Sequence, residues 1–171
     1  MQKSTPLLFG AFVALPTVAA ELTLSVEVPQ INTAEYHRPF AAIWIERPDN
    51  TVAGNLAIWY QMPKGEKAGG DKWLKDMRQW WRRSGRELKM PVDGITSATR
   101  PVGKHKVEFK NDAFPQGKLA PGQYTLKVEA AREGGGRELV SVPFAWPPTK
   151  SQRAVARGKS ELGEIALELK P

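Results

Sequence analysis

Seven residues, Asp93-Gly94-Ile95-Thr96-Ser97-Ala98-Thr99, gather three hydroxyl side chains behind an Asp-Gly turn signal. The chain has no cysteine, which removes disulfides, thiolate metal sites and thioether haem attachment. A Thr or Ser in an accessible loop can be esterified by an enzyme that presents a phosphate to it, provided small neighbours admit that enzyme. Gly94 and Ala98 are such neighbours, whereas a bulky or β-paired segment would not serve. Arg100 and Lys104 follow closely and can offset the charge of a phosphodiester. The blander alternative is a polar loop between strands, with its hydroxyls bonded to nearby backbone.

Other constellations carry less chemistry. His37 and His105 are the only histidines, without H-x-x-x-H or Cys/His metal spacing. Ser84-Gly85 and Ser97 lack a nucleophile-elbow context. Glu46, Glu129 and Glu133 are not paired by any spacing. The run Glu129-x-x-Arg132-Glu133 reads as a strand end with surface ion pairs of small individual worth. The net charge of +7 comes from dispersed Lys and Arg, so a nucleic-acid partner is not expected, and with no catalytic constellation neither is an enzyme activity.

Strands must position these residues. Leu22, Leu24, Val26 and Val28 alternate with polar residues at period two. Phe40 to Glu46 and Val52 to Gln61 flank the Arg47-Pro48-Asp49-Asn50 turn, and Val107 and Phe109 mark a further strand. Tyr124 to Ala130 and Val140 to Trp146 flank Gly134-Gly135-Gly136, and Ile165, Leu167 and Leu169 close the chain. One helix is expected over about 72–83. Asp71 would be its N-cap, and Trp73, Leu74, Met77, Trp80 and Trp81 would form one face. Gly85 would be a left-handed stop. Residues 147–163 read as a flexible crossing. These elements predict an immunoglobulin/fibronectin-like antiparallel β-sandwich with one Trp-rich α-helix inserted. It would form a single domain over 21–171, with an acceptor loop at 93–103.

The first twenty residues set the compartment. Lys3, an apolar run from Leu7 to Leu15 and the small residues Val18-Ala19-Ala20 form a signal-peptide pattern, with cleavage expected after Ala20. Such a run is too short for a transmembrane helix. The mature protein is expected in the periplasm without a membrane span.

The hydroxyl stretch resembles the acceptor motif on which bacterial flavin transferases attach FMN through a phosphoester bond to the final Thr or Ser. Asp93, Gly94, Ile95, Thr96, Ser97, Ala98 and Thr99 match it position by position. A wider resemblance is to predicted periplasmic bacterial proteins of unassigned function. It is carried by Arg38-Pro39-Phe40-Ala41-Ala42-Ile43-Trp44-Ile45-Glu46, Leu56-Ala57-Ile58-Trp59, Trp73-Leu74, Trp80-Trp81, Gly122-Gln123-Tyr124 and Glu129 to Glu133. The resemblance implies covalent FMN on Thr99, with a flavin transferase and a membrane-bound electron-transfer protein as partners. The ring would rest on Trp80, Trp81 or Trp73. The alternative is a cofactor-free immunoglobulin-like binding or assembly module of the cell envelope.

Overall fold

The computed structural model describes residues 20–64, 69–110 and 113–171; the expected signal peptide, apart from Ala20, lies outside them. Among the described residues there are nine strands: β1 Glu21–Val28, β2 Phe40–Glu46, β3 Val52–Tyr60, β4 Thr96–Ala98, β5 Gly103–Phe109, β6 Gly122–Ala131, β7 Arg137–Trp146, β8 Gln152–Arg157 and β9 Glu164–Lys170. They form two sheets, ordered β5-β1-β9-β8 and β4-β3-β2-β6-β7. Every pairing is antiparallel except β3 with β4, which is parallel. The fold is a β-sandwich, as expected.

The period-two pattern of β1 buries Leu22, Leu24, Val26 and Val28. Most of these side chains meet Ile43, Ile45, Leu126 and Val128 from the second sheet and Ile165, Leu167 and Leu169 from the first, which makes one apolar core between the sheets. The denser apolar runs of β2 and β3 have a different cause. Ala42, Trp44, Ile58 and Tyr60 point to the other face of the second sheet, where Leu74, Met77, Trp80 and Ile95 cover them. That sheet is thus a middle layer, and its central strands are buried on both sides.

The covering segment is not one helix. A 3-10 stretch spans Asp71–Asp76, Met77 breaks it, and α1 runs Arg78–Arg83. Gly70, not Asp71, is the N-terminal cap residue, and no side chain caps it. Gly85 is no left-handed stop. It lies in a short 3-10 turn, Gly85–Glu87, and is a glycine where a Cβ would come 2.7 Å from the Trp80 ring. The stretch expected as a flexible crossing holds β8, an edge strand whose side chains are mostly exposed.

Candidate functional site

The stretch Asp93 to Thr99 is anchored residue by residue. Gly94 adopts φ 78°, the left-handed conformation that an Asp-Gly turn favours. Ile95 is buried under the helical cover, and its carbonyl accepts the Ile58 N–H at 2.8 Å. Thr96 closes the loop twice: its N–H donates to the Val92 carbonyl, and its Oγ1 accepts the Val92 N–H at 2.9 Å. Thr96, Ser97 and Ala98 pair with Ile58, Trp59 and Tyr60. The motif is therefore β-paired in its middle, contrary to the expected free loop. Thr99 lies just past the strand, where the paired residues hold it in place without enclosing it.

Thr99 lines a cavity of about 380 Å³, within the roughly 300–1,000 Å³ usual for small-molecule sites. The cavity sits where β2 begins and β3, β4 and β6 end. Its other walls include His37, Arg38, Phe40, Trp73 and Arg132. Trp73 is 46% exposed and presents an open ring, with Lys72 Nζ 5.2 Å from its centroid. His37 stands 3.1 Å from Glu35 and 3.8 Å from Glu133.

Arg132 is clamped. Its Nε donates to Glu161 Oε2 at 2.8 Å and its Nη2 to Glu161 Oε1 at 3.2 Å, and both side chains are at least nine-tenths buried. The bonds to Glu161 raise the guanidinium's proton affinity more than burial lowers it. Glu161 also accepts the Gly136 N–H at 2.7 Å. The loop that carries Glu161 is held by Glu138, whose carboxylate accepts the backbone N–H groups of Lys159, Ser160, Glu161 and Leu162. Burial pushes the Glu138 carboxyl up, but those four donors outweigh it and hold the group below its usual value of 4.5.

The remaining predicted residues are placed elsewhere. Arg100 lies over the Trp59 ring, 5.2 Å from its centroid, and donates to Ser97 Oγ at 3.3 Å. It does not line the cavity, nor does Asp93, which is exposed on the turn. Trp80 has no exposed surface, and its Nε1 donates to Asn55 Oδ1 at 2.8 Å. Trp81 packs beside it, half-buried. Among the three tryptophans of the cover, the one at the cavity is Trp73. Lys104 pairs with Glu164 at 3.3 Å on the other sheet, and His105 bonds the Pro101 carbonyl at 2.7 Å.

Of the residues read as surface ion pairs, the Glu129 and Arg132 side chains are buried, while Glu133 is exposed and stands 3.8 Å from His37. Glu129 is fully buried and accepts the N–H groups of Gln79 and Trp80 at 3.1 and 2.7 Å, in the first turn of α1. Arg137 Nη1 completes its shell at 2.6 Å. A carboxylate at this end of a helix meets its unpaired donors. The available signal was period: Glu129 shares its strand face with Ala131 and belongs to the covered side of a two-faced sheet.

Among the described residues, no group of three His, Cys, Asp or Glu side chains is arranged to hold a metal ion, and no helix is long and apolar enough to cross a membrane. No curated protein and no solved structure matches the chain. A family model does match, over residues 21–164, a span that takes in β1 to β8, the cover and the cavity. By that match the chain belongs to the family of predicted periplasmic proteins designated DUF2271.

Proposed function

We propose that the protein is a periplasmic electron carrier with FMN esterified to Thr99. The observation that carries this reading is that Thr99 is the one hydroxyl of the motif that lines the cavity. Thr96 is committed to the Val92 N–H and Ser97 to Arg100. The residues around Thr99 suit the group. Trp73 and Phe40 offer aromatic surface to a planar ring, and Arg38 offers donors to a phosphate.

Attachment requires an activated donor, for which flavin adenine dinucleotide serves. The Thr99 Oγ1 attacks the FMN-side phosphorus, an Oγ1–P bond forms, the pyrophosphate bond breaks and AMP leaves. The hydroxyl proton passes to a base of the transferase. Bound FMN supplies electron-transfer chemistry that the side chains lack, while the protein supplies attachment, orientation and electrostatics. A membrane-bound protein is the partner for the electrons.

Co-expression with a flavin transferase in the periplasm tests the proposal. The chain is expected to give a flavin-fluorescent band on a denaturing gel, absent in Thr99→Ala. A dark wild-type band, or fluorescence that survives Thr99→Ala, overturns it.

A further inference from the structure

The basic residues are not evenly dispersed. The chain has 25 Lys and Arg against 18 Asp and Glu, and without Lys3, the one charge in the expected signal peptide, residues 21–171 are left at +6. The covering segment, residues 71–89, holds seven Lys and Arg against three Asp and Glu, a net +4. One short segment thus carries two-thirds of the charge. All seven cations are exposed, and among the described residues only Arg83 has an ion-pair partner, the buried Glu46. Arg78 and Arg82 stand one turn apart in α1, so like charges repel along the helix. A one-signed patch of this kind is relieved by an oppositely charged partner.

The apolar side of the segment is already occupied. Leu74, Met77 and Trp80 have no exposed surface and pack on the second sheet. Trp73 is the exception, an open ring with Lys72 beside it, and it also lines the cavity. The other large apolar side chains exposed among the described residues are Val102 and Val155, which lie outside the cover. A specific protein interface has an apolar core inside a polar rim, and the cover offers one ring where that core would be. Lipid headgroups ask for less. An array of phosphates accepts long Lys and Arg side chains without a shape match, and tryptophan settles at the boundary between headgroups and acyl chains. Because its apolar side is buried, the cover cannot sink in as an amphipathic helix does. Its attachment would be electrostatic and reversible.

We propose that the cationic outer side of the cover, with Trp73 among its charges, docks the protein on the anionic headgroups of a membrane surface. The docking itself does not rest on the flavin reading, but its use does. Trp73 belongs both to the cover and to the cavity wall, so a docked chain holds the cavity beside the membrane in which an electron-transfer partner sits.

Vesicles of phosphatidylglycerol and phosphatidylcholine in equal parts are the probe, with pure phosphatidylcholine as reference, and bound mature chain is measured by sedimentation. Binding is expected to the anionic vesicles alone, and it should fall as salt is raised, because exposed charges are screened. Lys75→Gln, Arg78→Gln and Arg82→Gln together should weaken it about tenfold or more, since each cation near an anionic surface contributes a factor of about five. Lys106→Gln, Lys118→Gln and Lys150→Gln together remove the same charge from exposed positions outside the cover, and that chain should bind close to wild type. Trp73→Ala should weaken binding by less than the cover triple does. A chain that ignores the anionic vesicles at low salt overturns the proposal. So does a control triple that loses as much as the cover triple, the behaviour of unspecific charge. Cover-dependent binding found only on native membranes, and lost when their proteins are shaved off by protease, would assign the cover to an acidic protein and overturn the lipid surface. A chain that binds the vesicles yet stays dark with the transferase keeps the docking surface and removes the flavin. A flavinylated chain indifferent to the vesicles does the reverse.

Discussion

The two faces of the second sheet are buried by different means. The face toward the first sheet meets a continuous apolar core in which packing alone does the work. The face toward the helical segment buries Glu46, Asn55 and Glu129 among Trp44, Trp80 and Met77. There each polar group has a job. Glu46 accepts Trp44 Nε1 at 2.9 Å and stands 3.6 Å from Arg83, Asn55 accepts Trp80 Nε1 and Ser84 Oγ, and Glu129 accepts the start of α1. Apolar contact is indifferent to small slides, whereas a hydrogen bond fixes distance and direction. The inner face therefore sets stability. The outer face sets where the cover sits, and with it the position of Trp73 over the cavity.

Substitutions on the two faces should separate these roles. The largest effect is expected for Leu24→Ala in the inter-sheet core. It should cost about 2–5 kcal/mol by denaturant unfolding, with flavin loading per folded molecule unchanged. A smaller loss, about 1–3 kcal/mol, is expected for Trp80→Phe, which keeps most of the ring but deletes the bond to Asn55. Here loading, or the order of the bound ring measured by fluorescence anisotropy, should change. If Leu24→Ala disturbs loading more than Trp80→Phe does, the division between the faces is wrong.

The smallest effect is one of pH. Glu138 titrates below 4.5 in the folded protein, so the unfolded chain binds its proton more readily. Its contribution is fully present above about pH 4.5 and is lost as pH falls through the lowered folded value. Calorimetry across that acid range should show Tm falling less steeply in Glu138→Gln than in wild type. An equally steep fall would mean that the 159–162 loop, and the clamp on Arg132 that it carries, do not depend on this carboxylate.

The pattern of what was legible follows from the same contrast. Strands with one buried face announce themselves by period two, as β1 does. The continuous apolar runs of β2 and β3 showed dense burial but not its cause, a second layer on the outer side. β8 escaped notice because Gln152-Arg153-Ala154-Val155-Ala156-Arg157 is an edge strand without a strong apolar stripe. β4 escaped because its pairing partner, β3, lies more than thirty residues earlier in the chain. At the site, Thr99, the motif hydroxyl that lines the cavity, could be singled out from the sequence. The Arg132–Glu161 clamp could not, because the burial of a charged pair depends on a loop and a turn that meet only in the folded chain. Tryptophan spacing marked a cover, but it did not say that Trp80 would lie beneath it and Trp73 outside.

The central claim concerns one oxygen, Thr99 Oγ1. Proteolytic peptide mapping by mass spectrometry, on chain produced with a flavin transferase in the periplasm, examines it directly. The account predicts a peptide spanning 93–99 that carries the mass of FMN joined with loss of water, with fragment ions placing it on Thr99. A modification on Thr96 or Ser97, or an unmodified peptide from a chain exposed to an active transferase, would contradict it.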